Sequence, residues 1–197
     1  MYDLLTDPLP TEWEGRSINC DFRPMVRLLN ELRRSGSEEE SSRSIARALN
    51  WFYPEPVAPE DLPEAFQSLL RFAQGGTDEE TAAAQSEARG DGTGEPVLDY
   101  HYDAEYLLGA FQQAYGIDLT VDKVHWWRFK ALLRALPPET PLGHILDFRG
   151  ADTSEMDDAH RAYYERGKER YALPPELKGV KRSETLQEHE AAFLDRF

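Results

Sequence analysis

An all-α, or nearly all-α, fold is what this sequence predicts: a compact bundle of six to eight short helices with a small N-terminal β-hairpin. Three observations predict it. Apolar residues recur at spacings of three and four along most of the chain, the mark of amphipathic helices. Breakers such as Pro54 and Pro56, Gly75-Gly76, Pro137-Pro138 and Pro174-Pro175 cut the chain into short pieces. Hydrophobic residues make up 40% against 30% charged, which is enough apolar material to build a core.

The hairpin comes first. Thr11-Glu12-Trp13 and Arg16-Ser17-Ile18 flank Glu14-Gly15, and Gly15 accepts the positive φ of a tight turn. Asp21 then reads as a helix N-cap, with Pro24 in the first turn, where its missing N–H costs little. Met25, Leu28, Leu29 and Leu32 form the inward face, and Ser35-Gly36-Ser37 ends the helix. A second helix runs from about Glu39 to Phe52 with Ile45, Ala48, Leu49 and Phe52 inward. A third runs from about Glu60 to Gln74 on Leu62, Ala65, Phe66, Leu69, Leu70 and Ala73.

Residues 76–97 are rich in Gly, Ala, Ser and acids and lack a large apolar side chain until Val97, so they read as an acidic, flexible linker within the domain. Helical patterning returns over Asp103 to Tyr115, with Gly116 as C-cap. Thr120 is expected to cap a helix reaching Leu136, Thr140 to Phe148 forms a shorter one, and Ser154 to about Arg170 a charged one. Ser183 to Phe197 is expected to form a last, polar helix. The organisation predicted is a hairpin and first helical half in 1–75, the linker, a second half in 98–150 packing on the first, and charged helices in 151–197.

The formal net charge of -15 at pH 7 repels phosphate backbones and anionic bilayers, so neither nucleic acid nor a membrane is the expected partner. No run approaches the roughly 20 apolar residues of a bilayer span, and the acidic N-terminus does not resemble a signal peptide. The single cysteine, Cys20, excludes an intrachain disulfide and a cysteine-built zinc cluster, and reads as a small buried residue. His101, His125, His144, His160 and His189 show no metal-ligand spacing. Phosphate-cradling and nucleophile-elbow motifs are missing, and Gly90, Gly92 and Gly94 lie in acidic surroundings. The carboxylate pairs Asp99 with Asp103 and Asp157-Asp158 read as solvated surface. No catalytic residue, metal or cofactor is therefore expected, and the chain reads as a binding protein, not an enzyme.

Leu119 to Leu136 is the most informative stretch. At about 100° per residue, Val121, His125, Phe129, Leu132 and Leu136 share one stripe, with Trp126 and Leu133 at its shoulder. His125 within that stripe reads as a buried neutral histidine bonded to a carbonyl or carboxylate. Trp127 points the other way, together with Lys123, Lys130 and Arg134. Either Trp127 folds under the linker or C-terminal region, or it anchors a partner. The candidate partner-binding residues are Trp127, Lys123, Lys130, Arg134 and Tyr106.

Three segments carry a family resemblance: Ile18-Asn19-Cys20-Asp21-Phe22-Arg23; Asp99-Tyr100 with Asp103-Ala104, leading to Phe111 and Ala114-Tyr115-Gly116-Ile117-Asp118-Leu119; and His125-Trp126-Trp127 with Phe129, Ala131-Leu132-Leu133, Leu136, Thr140 and Ile145 to Arg149. With Phe52-Tyr53-Pro54, they make the chain resemble the phage "gene product fifteen" family, small proteins of tailed phages and prophages of Gram-positive bacteria. That resemblance implies a tail morphogenesis role beside the tape measure gene. The protein would be a tail assembly chaperone in the bacterial host cytoplasm, coating the tape measure protein until tail tube protein polymerises around it. The alternative it leaves open is a virion structural component, such as a head–tail connector or tail completion protein. Homo-oligomerisation also stays open. The resemblance carries no catalytic residues.

Overall fold

A two-residue hairpin turn demands positive φ at both central positions, and the chain meets that demand with Glu14 (φ 49°) and Gly15 (φ 80°). Strands β1 (Glu12–Trp13) and β2 (Arg16–Ser17) pair antiparallel around it, in the register Glu12↔Ser17 and Trp13↔Arg16. The computed structural model describes residues 6–34, 37–75 and 97–177. Within them lie seven α-helices: α1 (Phe22–Arg34), α2 (Glu38–Phe52), α3 (Leu62–Gln74), α4 (Ala104–Tyr115), α5 (Trp126–Arg134), α6 (Pro141–Gly150) and α7 (Asp158–Arg170). The fold is the mostly helical one expected, with the hairpin in its expected place. The linker and the final helix expected at 183–197 lie outside the described residues.

The chain divides into two units. The described part of the first comprises residues 6–34, 37–75 and 123–131, and that of the second 97–122 and 132–177.

In the first unit, Asp21 starts α1 by accepting the Arg23 N–H at 3.0 Å, the role its position predicted. Ser37 Oγ does the same for α2, accepting the Glu40 N–H at 3.3 Å. α1 packs on α2 and α2 on α3. Met25, Leu28 and Leu32 meet Ile45, Ala48, Leu49 and Phe52 in the core, joined by Ala65, Phe66, Leu69 and Leu70. Each of the larger of these side chains contributes roughly 1.5–3 kcal/mol by leaving water. Tyr53, just past α2, donates its hydroxyl to the Ala65 carbonyl at 3.0 Å and ties the α2 end to α3. Gly75, at φ 94°, closes α3 in the left-handed conformation. Phe72, which the periodicity did not place inside, is fully buried. Trp13 from the hairpin covers it at 5.9 Å between ring centroids, so both flanks of this last turn face apolar neighbours.

In the second unit, α4 packs on α6 and α6 on α7. Gly116 (φ 65°) ends α4 as predicted. Thr140 Oγ1 accepts the Gly143 N–H at 3.0 Å and opens α6. α7 begins at Asp158, not at Ser154, because Asp157 is its N-cap, accepting from Ala159 and His160. Leu142 and Ile145 are buried, and Phe148 stacks among Tyr163, Tyr164 and Tyr171. Gly167 lies so close to the Phe148 ring that a Cβ there would sit 2.1 Å from its Cδ1.

Two expectations are corrected here. The helix expected from Thr120 starts only at Trp126. Asp118 takes the Thr120 N–H and hydroxyl at 2.8 and 2.6 Å, and Asp122 takes the Asp118 N–H at 2.9 Å. These side chains give the backbone partners that a helix would otherwise supply. Val121, expected inside, is therefore 71% exposed. Asp99 and Asp103 are not solvated: they are 1% and 0% exposed. Asp103 forms a two-point pair with Arg149, at 2.7 and 3.0 Å, and also accepts the Asp99 N–H at 3.0 Å. Asp99 in turn accepts the His101 and Tyr102 N–H groups.

Candidate partner-binding site

The His125-Trp126-Trp127 segment begins with an extended step. Asp21 and His125 face each other as an isolated antiparallel bridge. The Phe22 N–H donates to Val124 and the Trp126 N–H to Cys20, at 2.9 and 2.8 Å. The Asp21 carboxylate also accepts the Val124 N–H at 3.3 Å. One aspartate thus caps α1 and receives the strand-like entry to α5.

His125 is the N-cap of α5. Its Nδ1 accepts the Trp127 N–H at 3.1 Å, so the neutral ring carries its proton on Nε2, which donates to the Pro10 carbonyl at 3.0 Å. Burial pushes its pKa below the ordinary 6.5, against the opposing pull of the Pro10 bond. The half-buried neutral histidine bonded to a carbonyl is the one expected. Cys20 nearby is half-buried, and burial raises its thiol pKa.

The first turn of α5 serves the last turn of α3. A helix C-terminus leaves carbonyls without helical partners. Here the Trp127 indole N–H donates to Phe72 at 2.7 Å, the Trp126 indole N–H to Ala73 at 2.8 Å, and Lys130 Nζ to the same Ala73 carbonyl at 2.7 Å. The lysine charge also suits the negative end of the helix dipole. Trp127 is 2% exposed. It stacks on Phe72 at 5.3 Å and meets Trp13 edge-on at 5.5 Å.

Of the two readings left open for Trp127, the structure shows the covered one: it is a core residue and not a surface anchor. Among the described residues, the hairpin and α3 cover it. Lys130 is half-buried with its ammonium on Ala73. Lys123 and Arg134 stand at the surface, and Tyr106 is 43% exposed on α4. Lys123 belongs to the first unit and Tyr106 and Arg134 to the second. The structure therefore does not show the five candidates as one patch. Tyr102, four residues before Tyr106 and 50% exposed, is a surface aromatic the sequence reading missed. It lies in the turn just before α4, and its place beside the start of that helix was the available signal.

Among the described residues, no group of three His, Cys, Asp or Glu side chains could hold a metal ion. A shallow, open depression is lined by Asp7, Pro8, Leu9, Pro10, Thr11 and Glu12. No helix among the described residues is long and apolar enough to cross a membrane.

Against this geometry, the model of the Bacteriophage Gp15 protein family matches residues 5–173. The chain belongs to that family. No curated protein and no solved structure matches it. Family membership makes the chain a phage-related structural or morphogenesis protein. The residues that carried the resemblance sit at joints of the scaffold: Asp21 and His125 where α1 meets α5, Trp126 and Trp127 on the α3 terminus, and Asp103 with Arg149 between α4 and α6.

Proposed function

We propose that this Gp15-family protein is a tail assembly chaperone that binds and solubilises the tape measure protein, acting by contact and not by catalysis. The observation that carries the reading is the family match over residues 5–173. Two features support it. The net charge of -15 suits a carrier that must keep an apolar, helical client dissolved. The exposed pair Tyr102 and Tyr106 offers a client helix large, rigid contact surface. Arg134, at the surface of the same unit, joins them in the proposed contact set.

Co-expression with the phage's long helical tape measure protein tests this. The expected outcome is a soluble co-purifying complex, weakened in a Tyr102→Ala/Tyr106→Ala variant of unchanged thermal stability, and absence of the chain from mature particles. A tape measure protein that stays insoluble with or without this chain overturns the reading. A chain retained in purified virions would make it a structural component of the tail or connector instead.

A further inference from the structure

His125 occupies both of its ring nitrogens in one posture. Nδ1 receives the Trp127 N–H, and Nε2 gives its proton to Pro10. The ring is wedged between Phe72 and Trp127, at 5.6 Å from each. A second proton can enter only at Nδ1, where it would point at an N–H group and stand over the positive end of α5. We propose that His125 is an acid-operated latch: protonation of Nδ1 removes the α5 N-cap and loosens the indole caps that α5 places on the end of α3.

The ionisable groups around the latch do not offer a ready counter-charge. On the α1 side, Asp21 spends its carboxylate on Arg23 and the Val124 N–H. On α3, Arg71 is paired with Glu14 of the hairpin. The N-terminal arm brings the Pro10 carbonyl, with Asp7 and Glu12 further along it. On the His125 segment itself, Lys123 and Arg128 are exposed and cationic, and neither favours a second positive charge. Cys20 is half-buried, with its thiol pKa raised by burial.

The linkage sign follows. A histidine held neutral in the fold takes up its proton more readily in the unfolded chain. Stability from this site is therefore complete above the ordinary value of 6.5 and declines as pH falls below it.

The test is an NMR titration of the intact protein from pH 8 to pH 5, following the His125 ring and the Trp126 and Trp127 indole N–H signals. The protection of those indole protons, taken relative to their intrinsic exchange at each pH, should drop about fivefold once the ring is charged, the factor supplied by losing one N-cap bond. His125→Asn, which caps a helix without titrating, should keep that indole protection independent of pH. The proposal fails if the His125 ring stays neutral down to pH 5, if it titrates while the indole protons stay protected, or if the same loosening persists in His125→Asn.

Discussion

The two units hold their helices together by opposite means. In the first, the α3–α5 junction is closed by large rings and neutral donors: Trp13, Phe72 and Trp127 pack edge and face, and two indoles feed carbonyls at a helix end. In the second, the corresponding joint is a charge. Arg149, 7% exposed at its side chain, pairs with the wholly buried Asp103 and spends its other N–H groups on Val97 and Tyr171 at 3.0 and 2.6 Å. That guanidinium fastens the segment before α4, α6 and the chain after α7 at one point. The contrast concerns failure. Ring packing loses stability in proportion to the atoms removed, whereas a buried ion pair fails as a whole, because the surviving partner is left charged and dry.

The sharpest way to break the comparison is Arg149→Ala. Stranding Asp103 should cost about 3–5 kcal/mol, read as a lowered midpoint in urea unfolding. Adding Asp103→Leu to Arg149→Met should recover only part of the loss, because Asp103 also receives the Asp99 N–H. Full recovery would show the charge to be dispensable. Gly167→Ala comes next. Its methyl must displace the Phe148 ring, and overpacking of this kind costs about 1–3 kcal/mol in thermal unfolding. The smallest effect belongs to Trp127→Phe. It keeps most of the stacking on Phe72 but removes one hydrogen bond, for about 1 kcal/mol by denaturant titration. A loss as large as that of Arg149→Ala would mean that the rings fail as abruptly as the ion pair.

Local signals were legible where a residue acts on its own neighbours. Gly15, Asp21, Thr140 and Gly116 each shape the backbone within a few positions, and each does what its type predicts. The misreadings arise where a partner arrives from far along the chain. The pattern Val121, His125, Phe129 fits a helix. Yet Asp118 and Asp122 claim the backbone first, and Asp21 pairs with a stretch about a hundred residues away. Asp103 resembled any surface acid until Arg149, 46 positions later, neutralised it. Trp127 looked exposed because a helix wheel has no knowledge of the hairpin that covers it. Of the candidate contacts, Tyr106, Lys123 and Arg134 are at the surface.

Glu14 gives the hairpin a non-local character. A left-handed glutamate is a poor choice for a tight turn, where Asn or Gly would sit without strain. Its carboxylate grips Arg71 on α3 through two contacts of 2.7 Å, across 57 positions. A ribbon this short is marginal by itself. The turn therefore leans on α3 to hold it, a tie that nothing within the ribbon itself would reveal.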